Sequence, residues 1–168
     1  MVEVSQLSKQ FDVKGLQESD ADKVYQLELA NPQYFVHCPP VPSVSSVIDD
    51  MHALPAGKTA EDKYYVGFYA GKNLVAIMDL IMCYPNDHTA FIGLFMVDNA
   101  YQGRGVGSAI IKDCLSCLQE NGVSFIRLGY MKGNEQSRNF WLKNMFVETG
   151  EERINDRGKV IMMERKLM

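Results

Sequence analysis

Three glycines at alternate positions in the stretch YQGRGVGS, residues 101–108, constrain the fold of this chain more than any other feature of its sequence. Glycine loses more backbone freedom on folding than other residues, so three of them before a helical pattern need a reason. Without β-carbons the backbone can approach a bound group closely, and the free N–H groups of a helix's first turn attract anions. The stretch therefore predicts a phosphate, most simply a pyrophosphate, bound at the start of a helix.

Two common phosphate-binding loops do not fit this stretch. A Walker-type loop needs G-x-x-x-x-G-K-[ST], and the lysine is missing here. A dinucleotide fingerprint, G-x-G-x-x-G, fits Gly103 and Gly105 but meets Ser108 at its third glycine. Such a loop normally follows the first strand of its domain, whereas at least three antiparallel-looking strands precede it here. A turn without any ligand is the remaining alternative, but a single glycine would suffice for that.

The hydrophobic pattern alternates between strands and helices along the whole chain. Strands are predicted at residues 11–17, 63–70, 73–83, 89–98, 124–131, 146–152 and 159–167. Helices are predicted after an N-cap at Ser19, then at residues 43–54, 106–121 and 136–144. No repeat, low-complexity segment or linker divides the chain. The pattern predicts a single α/β domain over residues 1–168 with a mixed sheet.

Two local details of this prediction concern the first third of the chain. The helix after Ser19 should turn Val24, Leu27 and Leu29 toward the core. Residues 31–42, NPQYFVHCPPVP, should be irregular because prolines cluster in them.

Charge and hydropathy exclude several classes of protein. The net charge is −4, and the Lys and Arg residues are scattered without a basic run, which disfavours nucleic-acid binding. No apolar run approaches the length of a membrane span, and MVEVSQLSKQ does not resemble a signal peptide. We expect a soluble cytoplasmic protein that binds neither nucleic acid nor membranes.

The four cysteines do not predict a metal or redox site. Cys114 and Cys117 form a C-x-x-C, but the pair lies in a helical pattern, and no second pair completes a four-ligand site. We expect small buried hydrophobic side chains and no metal.

Residues 97–107 and 134–146 carry two motifs that together make the chain resemble the GNAT superfamily of acyl-CoA-dependent N-acyltransferases. Residues 97–107, VDNAYQGRGVG, match the family's motif A, V-x-x-x-x-[QR]-G-x-G-[IV]-G. Residues 134–146, NEQSRNFWLKNMF, resemble its motif B, N-x-x-[AS]-x-x-F-[YW]-x-K-x-[GM]-F. The opening VKGLQESDAD, residues 13–22, also looks like the family's first strand and helix. The resemblance implies a mixed, mostly antiparallel central sheet flanked by helices.

The resemblance implies that acetyl-CoA is the co-substrate and assigns residues to it. Backbone groups of Phe95, Met96 and Val97 would pair with the pantetheine arm, as an added strand would. The pyrophosphate would lie on the amides of residues 102–108, namely Gln102, Gly103, Arg104, Gly105, Val106, Gly107 and Ser108. Asn134, Ser137 and Phe140 would also face the cofactor. The alternatives are that Phe95 and Met96 are plain core and that Asn134 starts a helix or turn.

The catalytic groups of the family are not all present. The chemistry implied is direct attack of a substrate amine on the thioester, which needs a proton acceptor and a group to protonate the leaving thiolate. The tyrosine that often serves as the acid is replaced by Trp141, and the strand at residues 89–98 lacks the glutamate that some relatives use as base. Asp79, a carboxylate among aliphatic residues, is our candidate base, with a solvent-facing or ion-paired Asp as the alternative.

The acceptor is the least defined part of this interpretation. Its pocket would be built by residues 31–42 and the last hairpin, with Tyr34, Phe35, His37 and Cys38 as aromatic and mildly polar walls. A small-molecule amine and a peptide amine both remain open. Homodimers are common among such proteins, but the sequence shows no interface. The alternative function is a catalytically silent acyl-CoA sensor or regulatory module, suggested by the missing tyrosine and glutamate.

Overall fold

Seven strands form one continuous sheet in the computed structural model of the protein, which describes residues 2–168. The strands are β1 (Asp12–Gly15), β2 (Lys63–Ala70), β3 (Asn73–Ile81), β4 (Thr89–Val97), β5 (Phe125–Met131), β6 (Val147–Asn155) and β7 (Gly158–Lys166). Their spatial order is β1-β2-β3-β4-β5-β7-β6, and only β4 and β5 run parallel. This confirms the predicted mixed, mostly antiparallel sheet, and every predicted strand is present.

Five α-helices connect and cover the strands. They are α1 (Ala21–Leu29), α2 (Pro32–His37), α3 (Val44–His52), α4 (Val106–Glu120) and α5 (Glu135–Lys143). α3 begins where expected because Ser43 caps it, accepting a hydrogen bond from Ser46 N–H at 3.0 Å. Within residues 2–168, none of the helices is both long enough and apolar enough to cross a lipid bilayer.

The sheet has an apolar core on each face. One core, the α4 face, contains Phe68, Met78, Ile126 and the buried side of α4, including Cys114 and Cys117. Both thiols are free and buried, as predicted. The other core, the α1–α3 face, contains buried residues of α1 and α3 together with Ile77. Because successive side chains of a strand point to opposite faces, β4 contributes to both cores.

A β-bulge at Gly93 bends β4 halfway along its length. Asp79 pairs with Leu94 and Leu80 pairs with Ile92, so Gly93 has no partner on β3. A β-carbon at Gly93 would lie 2.8 Å from Oδ2 of Asp79, so no larger residue fits here without displacing that carboxylate. Bulges bend the strand that carries them. Beyond the bulge, β4 no longer pairs with β5.

The prediction of an irregular segment at residues 31–42 is wrong in its first half. α2 spans Pro32–His37, with Asn31 at its N-cap position and Pro32 as its first residue. Proline is tolerated at this position because the N–H group it lacks would have no partner in the helix. The remaining prolines of the segment follow the helix, where they do not interrupt it.

Two expectations for α1 are also wrong. Ser19 does not cap the helix, because it lies inside a 3₁₀ turn, Glu18–Asp20, that is closed by a hydrogen bond from Gln17 N–H to Asp20 Oδ2 at 3.0 Å. Leu29 is 44% exposed, whereas Glu28 is only 3% exposed. The buried face of α1 follows the helical spacing through Ala21, Val24 and Glu28, and this spacing places a carboxylate in the core.

Candidate active site

A cavity opens where β4 and β5 separate. The two strands pair only from Thr89 to Ile92 on β4 and from Phe125 to Leu128 on β5. The rest of β5 continues to pair with β7 on its other side. The opening leads into a cavity of about 740 Å³, here named the β4–β5 cavity. It is lined by α2 and its preceding residues, the end of β4, the glycine loop and α5.

The open edge of β4 offers backbone groups from alternate residues. Asp98 N–H donates to Val75 O on β3 at 2.8 Å. Backbone groups of successive strand residues point to opposite edges of the strand. The N–H and C=O groups of Met96 therefore point toward β3, whereas those of Phe95 and Val97 point toward the cavity. The three side chains divide differently: Phe95 and Val97 pack on the α4 face, and Met96 is buried on the α1–α3 face.

The carbonyl of Val97 is already occupied by two side-chain amides. Gln102 Nε2 donates to Val97 O at 2.8 Å, and Asn31 Nδ2 donates to the same oxygen at 3.1 Å. Gln102 Nε2 also donates to Asn31 Oδ1. The motif glutamine therefore joins the strand end to the loop between α1 and α2, and it fixes the mouth of the cavity. The importance of Asn31 was missed, since nothing in the sequence links it to Gln102.

The glycine loop presents free amides to the cavity at the start of α4. Gly103 and Gly105 have positive φ angles of 74° and 77°, which side chains rarely adopt. The first backbone bond of the helix runs from Ala109 N–H to Gly105 O, at 3.0 Å. The amides of Val106, Gly107 and Ser108 precede it, and helix N-terminal amides of this kind bind anions.

The other residues of the loop have structural contacts. A β-carbon at Gly107 would lie 3.0 Å from the Phe140 ring, so this glycine permits close packing of α4 on α5. Ser108 Oγ accepts a hydrogen bond from Asn144 Nδ2 at 3.1 Å. Arg104 folds back, donating to Ala100 O and covering the Tyr101 ring at 5.4 Å. Its charge lies beside the loop rather than across the cavity.

Motif B supplies the wall of the cavity opposite the loop. Asn134 caps α5, with its side chain accepting from Ser137 N–H at 3.1 Å, and both residues line the cavity. Phe140 stacks on Phe95 with ring centroids 5.9 Å apart. Trp141 is buried against Phe140, edge to face at 4.9 Å. An indole has no acidic proton to give at neutral pH, so Trp141 contributes packing.

Asp79, the candidate base, lies in an ion pair. Its Oδ1 is 2.9 Å from Lys63 Nζ, and the two side chains are only 16% and 5% exposed. Lys63 Nζ also donates to Ala53 O at 2.8 Å. Burial raises the pKa of Asp79, and the ammonium of Lys63 opposes that rise. Asp79 is therefore ion-paired, which was one of the two alternatives to a role as the base.

Titratable side chains from five separate elements gather on the α1–α3 face. We name this group the polar cluster: Glu28 on α1, Tyr34 on α2, Asp50 on α3, Tyr65 on β2 and Asp79 on β3. Burial raises the pKa of all five, and for Glu28 the value reaches about 7. The predictions included Tyr34 and Asp79 but missed the others. For Glu28 the buried i, i+3, i+7 spacing of α1 was the available signal.

The predicted acceptor walls meet the last hairpin beside this cluster. Arg157, in the turn between β6 and β7, donates to Cys38 Sγ at 3.5 Å. Tyr34 and Phe35 pack edge to face at 5.0 Å. Tyr34 also lines the β4–β5 cavity, so the cavity and the polar cluster meet at its side chain. His37 is the last residue of α2 and is partly exposed.

Comparison with known proteins gives one family match and several structural matches. The model of the Acetyltransferase (GNAT) family matches residues 22–145. No curated protein sequence matches significantly.

Among solved structures, an acetyltransferase from Thermus thermophilus is 19% identical, with a TM-score of 0.76 over 94% of this chain and 97% of that one. An acetyltransferase of Salmonella typhimurium that modifies the N-terminal serine of ribosomal protein L7/L12 is 16% identical, with a TM-score of 0.75 over 99% and 100%. The PaiA N-acetyltransferase of Thermoplasma acidophilum, solved with coenzyme A, is 15% identical, with a TM-score of 0.67 over 94% and 99%. At these identities the similarity establishes the fold.

Proposed function

Because the chain belongs to the GNAT family of acetyl-CoA-dependent N-acetyltransferases, whose model matches residues 22–145, we propose that it acetylates a primary amine by direct attack on a thioester held in the β4–β5 cavity. The observation that carries the proposal is the coincidence of free helix amides and an unpaired strand edge on one cavity. The two features suit the two ends of acetyl-CoA, an anionic pyrophosphate and a pantetheine arm rich in amides.

The donor fits the residues present in the cavity. The amides of Val106, Gly107 and Ser108 would hold the pyrophosphate, and the positive φ angles at Gly103 and Gly105 keep the loop open toward it. Phe95 would pair with the pantetheine through its backbone groups. Val97 offers only its N–H, because its carbonyl accepts from Gln102 and Asn31, and the backbone groups of Met96 face β3. Asn134, Ser137 and Phe140 would form the opposite wall.

The bound thioester supplies an acetyl carbonyl that an amine can attack. The N–H of Val97 faces the cavity and is our candidate for polarising that carbonyl, as a fixed donor in a partly dry site. Trp141 excludes water from the wall. A thiolate is a good leaving group, so the absence of a tyrosine at this position does not prevent transfer.

The proposal predicts two measurable properties. Acetyl-CoA should raise the melting temperature, since a ligand that binds only the native state stabilises it by mass action. Coenzyme A should then be released in the presence of an acceptor from a panel of spermidine, glucosamine and a hexapeptide with a free amino-terminal serine. Mass spectrometry of the acetylated amine is the better readout, because the exposed thiol of Cys83 reacts with thiol reagents.

The alternative function, a silent acyl-CoA sensor, is favoured by Trp141 at the position where an acid would stand. A melting shift without acetylation of any panel amine would support the sensor. No melting shift at millimolar acetyl-CoA would contradict both functions.

A further inference from the structure

A buried carboxylate on α1 has no partner in the fold. Glu28 is 3% exposed, and the hydrogen bonds and ion pairs of residues 2–168 include none to its carboxylate, whose oxygens are not among the polar atoms sealed completely from solvent. The backbone carbonyl of Glu28 accepts a hydrogen bond from Asn31 N–H at 2.9 Å. Burying a charged group without a partner costs free energy. Glu28 is therefore a candidate for interaction with a molecule that binds to the protein.

Glu28 lies close to the β4–β5 cavity. Asn31 connects the end of α1 to the end of β4, since its side chain donates to Val97 O. Asn31 and Tyr34 both line the cavity, at the end where Met96 also contributes. Glu28 therefore precedes Asn31, a residue of the cavity wall, by three positions, which is less than one turn of helix.

The titratable and charged groups around Glu28 come from α3, β2 and the last hairpin. The pKa of Glu28 is raised to about 7, first by burial and second by the Asp50 carboxylate on α3, against the opposing effect of the Arg157 guanidinium. Tyr65 on β2 has a buried hydroxyl without a hydrogen-bond partner among the described residues. Among the charges that raise the pKa of Tyr65, that of Glu28 comes first, ahead of Asp50 and Asp79. The Tyr34 hydroxyl on α2 lies near the charges of Arg157 and Asp50.

We propose that Glu28 is the proton acceptor for the incoming amine and that the polar cluster is the pocket that receives the amino group. This rests on the proposed N-acetyltransferase function. An ammonium entering past Tyr34 would meet two carboxylates without an ion pair, Glu28 and Asp50, of which Glu28 is the more deeply buried. Asp79 is already neutralised by Lys63, and Asp50 lies near both Lys63 and Arg157.

The step balances as follows. The acceptor enters as an ammonium and gives one proton to the Glu28 carboxylate, which frees the nitrogen lone pair. The C–N bond forms, the C–S bond breaks, and its electron pair leaves on the thiolate. The second nitrogen proton goes to the thiolate, and Glu28 returns its proton to solvent. The products are the amide, coenzyme A and one proton.

A base with a pKa near 7 suits one class of amine better than another. An α-amino group has a pKa of about 7.7–8.0, whereas a lysine-like alkylamine has a pKa of about 10.4. Proton transfer to Glu28 is therefore close to balanced for an α-amino group and strongly unfavourable for an alkylamine. We expect the hexapeptide to be a better acceptor than spermidine.

The test compares Glu28→Gln with a matched control on the same helix, Asp22→Asn, which neutralises an exposed carboxylate. We expect Glu28→Gln to lower kcat/KM for the hexapeptide by about a hundredfold or more, which is the usual contribution of a general base. Glu28→Gln should acetylate hydroxylamine at a rate within a few-fold of the wild type, because the nitrogen of hydroxylamine is already unprotonated at neutral pH. Asp22→Asn should match the wild type with both acceptors.

A second readout does not depend on turnover. With coenzyme A in place of acetyl-CoA, no transfer can occur, and the ¹³C carboxyl resonance of Glu28 can be followed against pH. Adding the hexapeptide should lower the pKa of Glu28, because an ammonium beside a carboxylate favours its charged form. An unchanged titration would mean that the amino group lies elsewhere and would overturn the proposal.

The remaining outcomes separate this proposal from the one it rests on. If the wild type acetylates the hexapeptide and Glu28→Gln does so at the same rate, Glu28 is not the proton acceptor. Glu28 is also not the proton acceptor if Asp79→Asn abolishes acetylation of the hexapeptide and Glu28→Gln does not. The same holds if Glu28→Gln lowers the rate with hydroxylamine as much as the rate with the hexapeptide. If the wild type binds acetyl-CoA but acetylates nothing, the enzymatic function itself fails.

Discussion

The open edge of β4 and the α1–α3 face next to it are built in different ways. The open edge uses backbone groups and one glycine loop, all from two short continuous segments, residues 95–108 and 134–140. The polar cluster uses side chains from five elements that are far apart in sequence. Backbone amides do not titrate, whereas every member of the cluster has a raised pKa. The donor side should therefore be insensitive to pH, and the acceptor side should respond to it.

The largest expected effect tests the donor side. Gly105→Val should weaken acetyl-CoA binding by about 4 kcal/mol, roughly a thousandfold, if two charge-assisted hydrogen bonds to the pyrophosphate are lost. Stability should fall by only about 2 kcal/mol from the left-handed backbone at this position. Isothermal titration calorimetry and denaturant unfolding measure the two quantities.

Gly57→Val is the matched control for that variant. Gly57 has a φ of 80° and, like Gly105, no atom within 4 Å of an added β-carbon, but it does not line the cavity. It should lose the same stability and retain full affinity. Equal affinity in Gly105→Val and Gly57→Val would contradict the assignment of the glycine loop.

The next effect concerns the ion pair of the polar cluster. Lys63→Met leaves the buried Asp79 carboxylate without its counter-charge, which should cost about 3 to 4 kcal/mol at pH 8. The cost should diminish at pH 5, where Asp79, with its pKa already raised, is more easily protonated. Urea unfolding at the two pH values measures the difference. A cost independent of pH would show that Lys63 contributes through packing alone.

The contrast between the two regions explains what the sequence could predict. The glycine loop, the strand before it and the cap of α5 are local patterns, so residues 95–97, residues 102–108 and Asn134 could be named as cofactor residues from the sequence, and that assignment stays a prediction. Glu28, Asp50 and Tyr65 come together only through the packing of α1 and α3 on the sheet, which no local spacing specifies. The helix at Pro32–His37 was missed because its prolines were counted without regard to position.

A smaller effect follows from Glu28 itself. Its pKa rises from 4.5 to about 7 on folding, so the native state disfavours the charged carboxylate. The contribution of Glu28 to the free energy of unfolding is therefore greatest below pH 4.5. It is lost as the pH rises through 7, because the native state must then ionise a buried carboxyl group. Glu28→Gln should therefore gain about 3 kcal/mol relative to the wild type between pH 4.5 and pH 8. A constant difference between the two proteins across this range would exclude the pKa shift.

The smallest effect is expected at the tryptophan of motif B. Trp141→Tyr introduces the phenol that the resemblance of motif B implies as an acid, but it also removes volume from a buried aromatic group. We expect a stability loss of about 1 kcal/mol from the residual space and a kcat within a few-fold of the wild type. A large rise in kcat, measured with the hexapeptide, would show that thiolate protonation limits the wild-type enzyme.

The amide shifts of ¹⁵N-labelled protein during an acetyl-CoA titration test the central claim most directly. The account predicts the largest shifts at Val106, Gly107 and Ser108 for the pyrophosphate and at Phe95 and Val97 for the pantetheine arm. The Met96 amide, which is directed toward β3, should move less than either neighbour. Binding accompanied by shifts that lie outside the β4–β5 cavity and leave these five amides unchanged would contradict the account.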